Sequence, residues 1–490
     1  MNLKKLTLHK ARQLLDSKTI SSYELVSETL DRIATIDPKL NSYITVTGEE
    51  ALREARAYDK ASKSSHTTNN PLGGIPISVK DVYCTKGIRT TCASNILTSF
   101  IPPYESTVTK RLRDAGAIII GKTNLDEFCH GSSTETSAFG TTKNPWDLNR
   151  LPGGSSGGSA ASVSAGLAVA SVGTETAGSI RQPASWCGLV GMKPTYGRSS
   201  RYGVIAMASS LDTPGPLTKD VRDAARMLHV ISGKDPLDAT SFNKPVPKYE
   251  QHLDKDMVRG LTIGLPKEFV EVELEDGIRE FPLEKSIHTF EKLGAKVQDI
   301  SLIHPKYAMS VYTIIARSEI SSNLARFTGI RYGTPPSNAG SSYKEYSKQV
   351  RSEGFGDEAK RRIMTGTHTL SAGYHDQYYT KAVAVRNIIT KAFESIFSSV
   401  DIIIGPTTPT VAMKVGSTKG NPLFGEIADM LVEHSALAHL PGISIPCGFA
   451  NGLPIGLQIF GPKHEEQRIL NTAYAFEQAT PWHTMTPDID

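Results

Sequence analysis

The sequence is poor in the features that would most simply announce a function. Only five cysteines stand among 490 residues, an odd number. No two sit at CxxC spacing, which argues against a disulfide framework or a cysteine zinc site and fits a reducing cytosol. No apolar run approaches the roughly 20 residues that a membrane helix needs. The formal charge is only +4 and no dense Lys/Arg run occurs, so nothing independently indicates a nucleic-acid or membrane surface. The N-terminal "MNLKKLTLHKARQLLDSK" has a basic start but no apolar core, its hydrophobic residues being interrupted by charge. No signal peptide is read, and a cytoplasmic location is expected. Short-period repeats and low-complexity tracts are also missing.

What is present fits a large folded protein: apolar residues are 39% and charged residues 21%, enough for several ordinary domains or one α/β domain with insertions. In "ISSYELVSETLDRIATID", Ser21 and Glu24 have capping-box spacing, and Val26, Leu30 and Ile33 share a face. "IPISVKDV" is strand-like and delivers Lys80 and Asp81. "STVTKRLRDAGAIIIGKTNLDEF" reads helix, glycine stop, short buried strand, loop, and the same grammar recurs at "EKSIHTFEKLGAKVQDISL" and "KAFESIFSSVDIIIGPTTP". Helices alternating with β-branched strands predict a sheet covered by helices. Lys234–Tyr249 is polar and proline-containing, a candidate crossing between halves. Residues from about 310 to 385 read as a helical insertion.

The stretch "PGGSSGGSAASVSAGLAVASVGTETAGSIRQPASWCG" holds many small residues and no histidine. Phosphate binding at a glycine-rich loop would want a terminal Gly-Lys-Ser/Thr, which "GGSSGGSAA" lacks. A flexible linker would not run directly into "SAASVSAGLAVASVG", which suits a tightly packed helix and then a strand. A nucleophile site remains. The strand-like run is expected to break at Gly173, "TAGS" forms a turn whose amides can stabilise an oxyanion, and Ser179 at the following helix start can attack a carbonyl. Neither His130 in "EFCHGSS" nor His434 and His439 in "VEHSALAHLPG" has an evident orienting carboxylate, so each reads as structural.

"GGSSGGSAASVSAGLAVASVGTETAGSIRQP" resembles the signature of the amidase signature family, which uses a Ser–cis-Ser–Lys triad. The resemblance implies Ser179 as the acylated nucleophile, Ser155 as the bridging serine and Lys80 as the base. The oxyanion hole falls on the amides of Thr176, Ala177, Gly178 and Ser179. A solvated lysine has a pKa near ~10.4, so a lysine base must be desolvated, and "GIPISV" offers an apolar surround. A serine hydroxyl both donates and accepts, as a relay must.

Within the family the chain looks most like the glutaminase subunits of tRNA-dependent amidotransferases, through "GKTNLDEF", "GSSTETSAFGTTKNPWD", "ISSNLARFTGIRYG", "GDEAKRRIMTGTHTLSAGYHDQYY" and "LPGISIPCG". The implied fold is a single compact α/β domain over residues 1–490, with a mixed central β-sheet covered by helices on both faces. Its N-terminal helices would fill about 1–62 and the signature core about 70–235. The implied reaction is glutamine hydrolysis, the ammonia passing to a partner that converts Glu-tRNA(Gln) to Gln-tRNA(Gln). Subunits B and C are the implied partners, charged tRNA binding mainly to B. No metal or cofactor is expected in this chain; ATP and Mg would act in the partner.

For glutamine itself, Asp429 matches the acid that binds the α-ammonium and Tyr312 a pocket tyrosine. An arginine of "KRRI", Arg361 with Arg362 as the alternative, matches the carboxylate clamp. Two departures stand out. Ala177 replaces a frequent glycine, tolerable only at negative φ, and Val432, His434, Ala436 and His439 replace the usual pattern after Asp429. Rival readings are a stand-alone amidase acting on another amide and a non-catalytic scaffold subunit.

Overall fold

The computed structural model describes residues 1–64, 70–338, 342–421 and 423–490; residues 339–341, inside the expected insertion, lie outside the described residues. Among the described residues, eleven strands form one sheet: β1 Tyr43–Val46, β2 Pro76–Lys80, β3 Ile118–Thr123, β4 Ala170–Glu175, β5 Val190–Lys193, β6 Thr213–Thr218, β7 Thr262–Pro266, β8 Lys296–Ile300, β9 Ile402–Pro406, β10 Gly442–Ala450 and β11 Leu453–Phe460. Their order is β1-β3-β2-β4-β6-β5-β10-β11-β9-β7-β8. Strand β2 runs parallel to β3 and β4, and β7 is parallel to β8 and β9. The other neighbours are antiparallel, so the sheet is mixed.

The runs "PISVK", "IIIGKT" and "IIIGP" are buried at every residue, as expected of strands covered on both faces. Strand β9 shows the two layers directly: Ile403 packs into one hydrophobic cluster, with Ile315 and Ile320 of helix Pro305–Leu324. Its neighbours Ile402 and Ile404 pack into the other, with Ile469 and Phe476 of helix Glu466–Ala479.

The capping box at Ser21 and Glu24 forms at the start of helix Ser22–Leu40. Helix Thr107–Asp114 ends before Gly116, whose φ of 86° only glycine adopts freely, and β3 follows. Helices Pro305–Leu324, Tyr343–Gly354, Asp357–Leu370 and Lys381–Ile396 occupy the region between β8 and β9.

One expectation fails. Strand β4 does not break at Gly173 but continues to Glu175, because Gly173 pairs with Gly215 of β6. Glycine is needed there for a different reason: a Cβ would lie 2.7 Å from Ser156 Oγ.

Candidate active site

Lys80 ends β2, beside the end of β4, and is completely buried. Its Nζ lies within hydrogen-bond distance of Ser155 Oγ at 2.8 Å, Ser156 Oγ at 2.9 Å, Thr174 Oγ1 at 3.1 Å and the Thr174 carbonyl at 3.3 Å. Ser155 follows a cis Gly154–Ser155 peptide bond. Gln182 fixes that turn by accepting from the Gly154 amide at 2.9 Å. Helix Gly157–Ser164 begins directly afterwards, built from "GGSAASVS" because glycine, alanine and serine let it sit fully buried.

Ser179 lies beside this pair: the Ser156 amide donates to the Ser179 carbonyl at 3.2 Å. A hydrogen bond between the Ser155 and Ser179 hydroxyls is not formed among the described residues; such contacts commonly tighten only when substrate is bound. Between β4 and helix Arg181–Trp186, the amides of residues 176 to 179 donate to no protein acceptor among the described residues. Four neighbouring unpaired N–H groups make a place for developing negative charge. Ala177 is not among the residues of positive φ, so its methyl sits without backbone strain.

The loop is held from behind by a buried ion pair. Arg181 Nη2 and Glu175 Oε1 are 2.5 Å apart, both side chains fully buried. Glu175 Oε2 accepts from the amides of Ile180 and Arg181, and Arg181 Nη2 donates to the carbonyls of Ala177 and Val432. Removing one member of such a pair costs about 3–5 kcal/mol. Opposite charges flanking "TAGSI" are the signal that could have found this pair from sequence. Ser156 and Thr174 carry no comparable signal, since their role appears only when β2 and β4 pair.

Asp429 presses against the loop from the other side, where any side chain at Gly178 would collide with its carboxylate. Its Oδ2 accepts from Ser132 Oγ at 2.6 Å, whereas its buried Oδ1 has no partner among the described residues. Burial raises its pKa well above the usual carboxylate range; Ser132 and Arg181 oppose the rise, Glu175 and Glu426 add to it. Tyr312 pairs its hydroxyl with Thr176 Oγ1 at 2.7 Å. Its pKa is pushed up by burial.

The two arginines separate cleanly. Arg361 makes a two-pronged pair with Glu358, at 2.7 and 2.6 Å, with its side chain 31% exposed. Arg362 is buried, donates to Glu358 Oε1 at 2.6 Å and lies 4.0 Å from Glu426. With Ser132, His130 and Gly425 it lines a cavity of about 460 Å³. The structure therefore brings Arg362, and not Arg361, to the Asp429 side of the site. A larger cavity of about 670 Å³, between residues 96–104 and 323–334, holds none of the predicted site residues.

None of the three histidines approaches Lys80 or Ser155 by a hydrogen bond. His434 bonds the Ile303 carbonyl at 2.6 Å, and His439 stacks on Tyr196 with centroids 4.4 Å apart. Burial pushes their pKa values down to about 4 and about 3. The Val432 carbonyl accepts from Arg181, a backbone contact that does not depend on the side chain there. Among the described residues, His9, Asp220 and Asp223 gather within reach of one ion, but the Asp223 carboxylate is already engaged by the amides of Leu8 and His9. No helix of the described residues is long and apolar enough to cross a membrane.

A model of the amidase family matches residues 24–470. The chain belongs to the amidase family. Among relatives of this amidase, the A subunit of glutamyl-tRNA(Gln) amidotransferase from Caldanaerobacter subterraneus subsp. tengcongensis is 52% identical over 479 residues, covering 98% of this chain and 97% of the relative. The protein of the same name from Geobacter metallireducens is 50% identical, with full coverage of both chains. The crystal structure of its namesake from Thermotoga maritima superposes with a TM-score of 0.82 at 40% identity, covering 99% of this amidase and 98% of that chain. The native peptide amidase of Stenotrophomonas maltophilia, 28% identical with a TM-score of 0.81, covers 97% of each chain.

Proposed function

We propose that this chain is the glutamine-hydrolysing subunit of a tRNA-dependent amidotransferase, converting Glu-tRNA(Gln) to Gln-tRNA(Gln) with subunits B and C. The observation that carries this reading is the unpartnered Asp429 Oδ1, buried against the oxyanion loop and paired across Ser132 with the cavity that Arg362 lines. Arg362 lines that cavity and Asp429 lies just behind it, held by Ser132 of its wall, and an acid and an arginine so placed suit an amino acid held by both its charged groups. Full-length relatives that carry the amidotransferase name support the same reading.

In the proposed mechanism Lys80 takes the Ser155 proton while Ser155 takes that of Ser179. The Ser179 Oγ attacks the glutamine side-chain carbonyl, and the amides of residues 176 to 179 receive the oxyanion. The carbon–nitrogen bond then breaks, the relayed proton returns to nitrogen, and ammonia leaves an acyl-serine. Water hydrolyses that ester to glutamate by the same relay. Arg362 holds the α-carboxylate through its planar fork, Asp429 the α-ammonium, and Tyr312 braces the Thr176 end of the loop. Asp429 must be ionised to face that ammonium, so its raised pKa ties glutamine binding to pH. This chain needs no cofactor for these steps; ATP, Mg and charged tRNA belong to the partner, in the cytoplasm.

The test is ammonia release from glutamine by the assembly that copurifies with this chain, with and without charged tRNA and ATP. Glutamine turnover stimulated by both supports the reading. Turnover of simple amides alone, with no copurifying subunits, would point to a stand-alone amidase, and no turnover at all to a scaffold.

A further inference from the structure

His130 is fully buried, and neither ring nitrogen has a hydrogen-bond partner among the described residues. A buried imidazole left in that state is costly, because both polar atoms have lost water and gained nothing. It is not a stray core residue. The ring lines the cavity of about 460 Å³ together with Ser132, which holds Asp429, and Arg362. Two successive left-handed residues, Phe128 with φ 48° and Cys129 with φ 65°, turn the chain immediately before it. Strained backbone of this kind is kept where a side chain must be aimed.

We propose that His130 is a specificity-determining residue of the glutamine site, its imidazole N–H donating to the substrate α-carboxylate beside the Arg362 guanidinium. This inference rests on the glutaminase reading above. The ring is suited to it in charge as well as place. Burial, reinforced by the neighbouring Arg362, pushes its pKa down to about 3, so it stays neutral through the working range and keeps one donor and one acceptor. A second full cation beside Arg362 would repel it; a neutral donor satisfies the remaining carboxylate lone pairs without that cost.

The variants His130→Met, similar in bulk but without a donor, and His130→Gln, which keeps an N–H, test this in the copurified assembly. His130→Met is expected to raise KM for glutamine about tenfold, leaving kcat within about twofold. The same rise should appear with glutaramate, which has the carboxylate but no α-amino group. The inhibition constant of 4-aminobutanamide, which lacks the carboxylate, should not change. His130→Gln should restore most of the glutamine KM. An unchanged glutamine KM in His130→Met would overturn the proposal, as would equal weakening for all three compounds, which marks a purely structural ring. Failure of the unmutated assembly to hydrolyse glutamine would instead overturn the parent reading, and this one with it.

Discussion

The two ends of the candidate site are built on opposite principles. At the reacting end, Lys80 is held by Ser155, Ser156 and Thr174, and the loop beyond is tied by Glu175 and Arg181, so that the side chains supporting the nucleophile have their partners and the loop amides face the place of reaction. At the recognition end, Asp429 Oδ1, Glu426 Oε2 and both nitrogens of His130 are buried without a partner among the described residues. The first end sits on β2, β4 and the turn between paired elements. The second sits on the short helix Phe424–Asp429, helix Asp357–Leu370 and a loop. A preorganised reacting centre avoids reorganisation during chemistry. Under-satisfied recognition groups gain most when a ligand supplies the missing charges. The difference teaches that rate and selectivity are housed in differently built structures, which meet where Asp429 packs against Gly178 and Tyr312 pairs with Thr176.

If so, substitutions at the reacting end should damage all amide substrates alike. Ser179→Ala should have the largest effect, lowering glutamine hydrolysis by about four orders of magnitude or more. Transamidation supplied with free ammonia should persist; loss of both would mean the assembly itself is disrupted. Lys80→Arg should cost about three orders of magnitude for every amide, since a guanidinium cannot give up its proton and exceeds the space around Nζ. Steady-state rates across neutral pH check this, and retained activity would remove Lys80 as the base.

Substitutions at the recognition end should discriminate. Asp429→Asn is expected to lower kcat/KM for glutamine roughly ten- to a hundredfold and to spare an amide without an α-amino group. Equal losses on both would make Asp429 a support of the fold. The raised pKa has a sign that can be followed: below it the carboxyl is protonated and cannot face an ammonium. The unmutated enzyme should therefore show a glutamine KM that falls as pH rises towards that pKa, a trend absent for the simple amide and in Asp429→Asn. The smallest expected effect is the sharpest control. Arg362→Met should raise the glutamine KM about tenfold, whereas Arg361→Met should change it by no more than about twofold, both read from initial-rate curves. The reverse order would return the clamp to Arg361.

Much of this was open to reading in the chain. The β-branched runs, the glycine stop at Gly116 and the capping box at Ser21 are local signals, set by a few adjacent residues, and they formed as expected. The serine-rich stretch itself pointed to Ser179, and its resemblance to the amidase signature implied Ser155 and, through "PISVKDV", Lys80. What resisted reading depends on distant pairing or on direction. Arg361 and Arg362 are neighbours in sequence, yet successive residues of a helix point about 100° apart, so only the placed helix separates them. Ser132 shows its use only when Asp429, from the far side of the chain, comes to rest beside it. Gly173 was misjudged because a glycine in a strand run signals a break, until Gly215 and Ser156 are known to face it.

The sheet order has one further consequence, for the growing chain. Strands β1 to β6 form one side of the sheet and β7 to β11 the other, and the seam is the β5–β10 pairing of Lys193 with Gly442, Met192 with Ile443 and Gly191 with Ser444. Synthesis therefore completes the lysine and both serines first. The edge of β5 then waits, unpaired, until residue 442 has left the ribosome. An open edge of a sheet is a template for another chain, so translation arrested between these points would leave a nascent protein equipped with a nucleophile and exposed to aggregation, and the last strands to be made are the ones that close it.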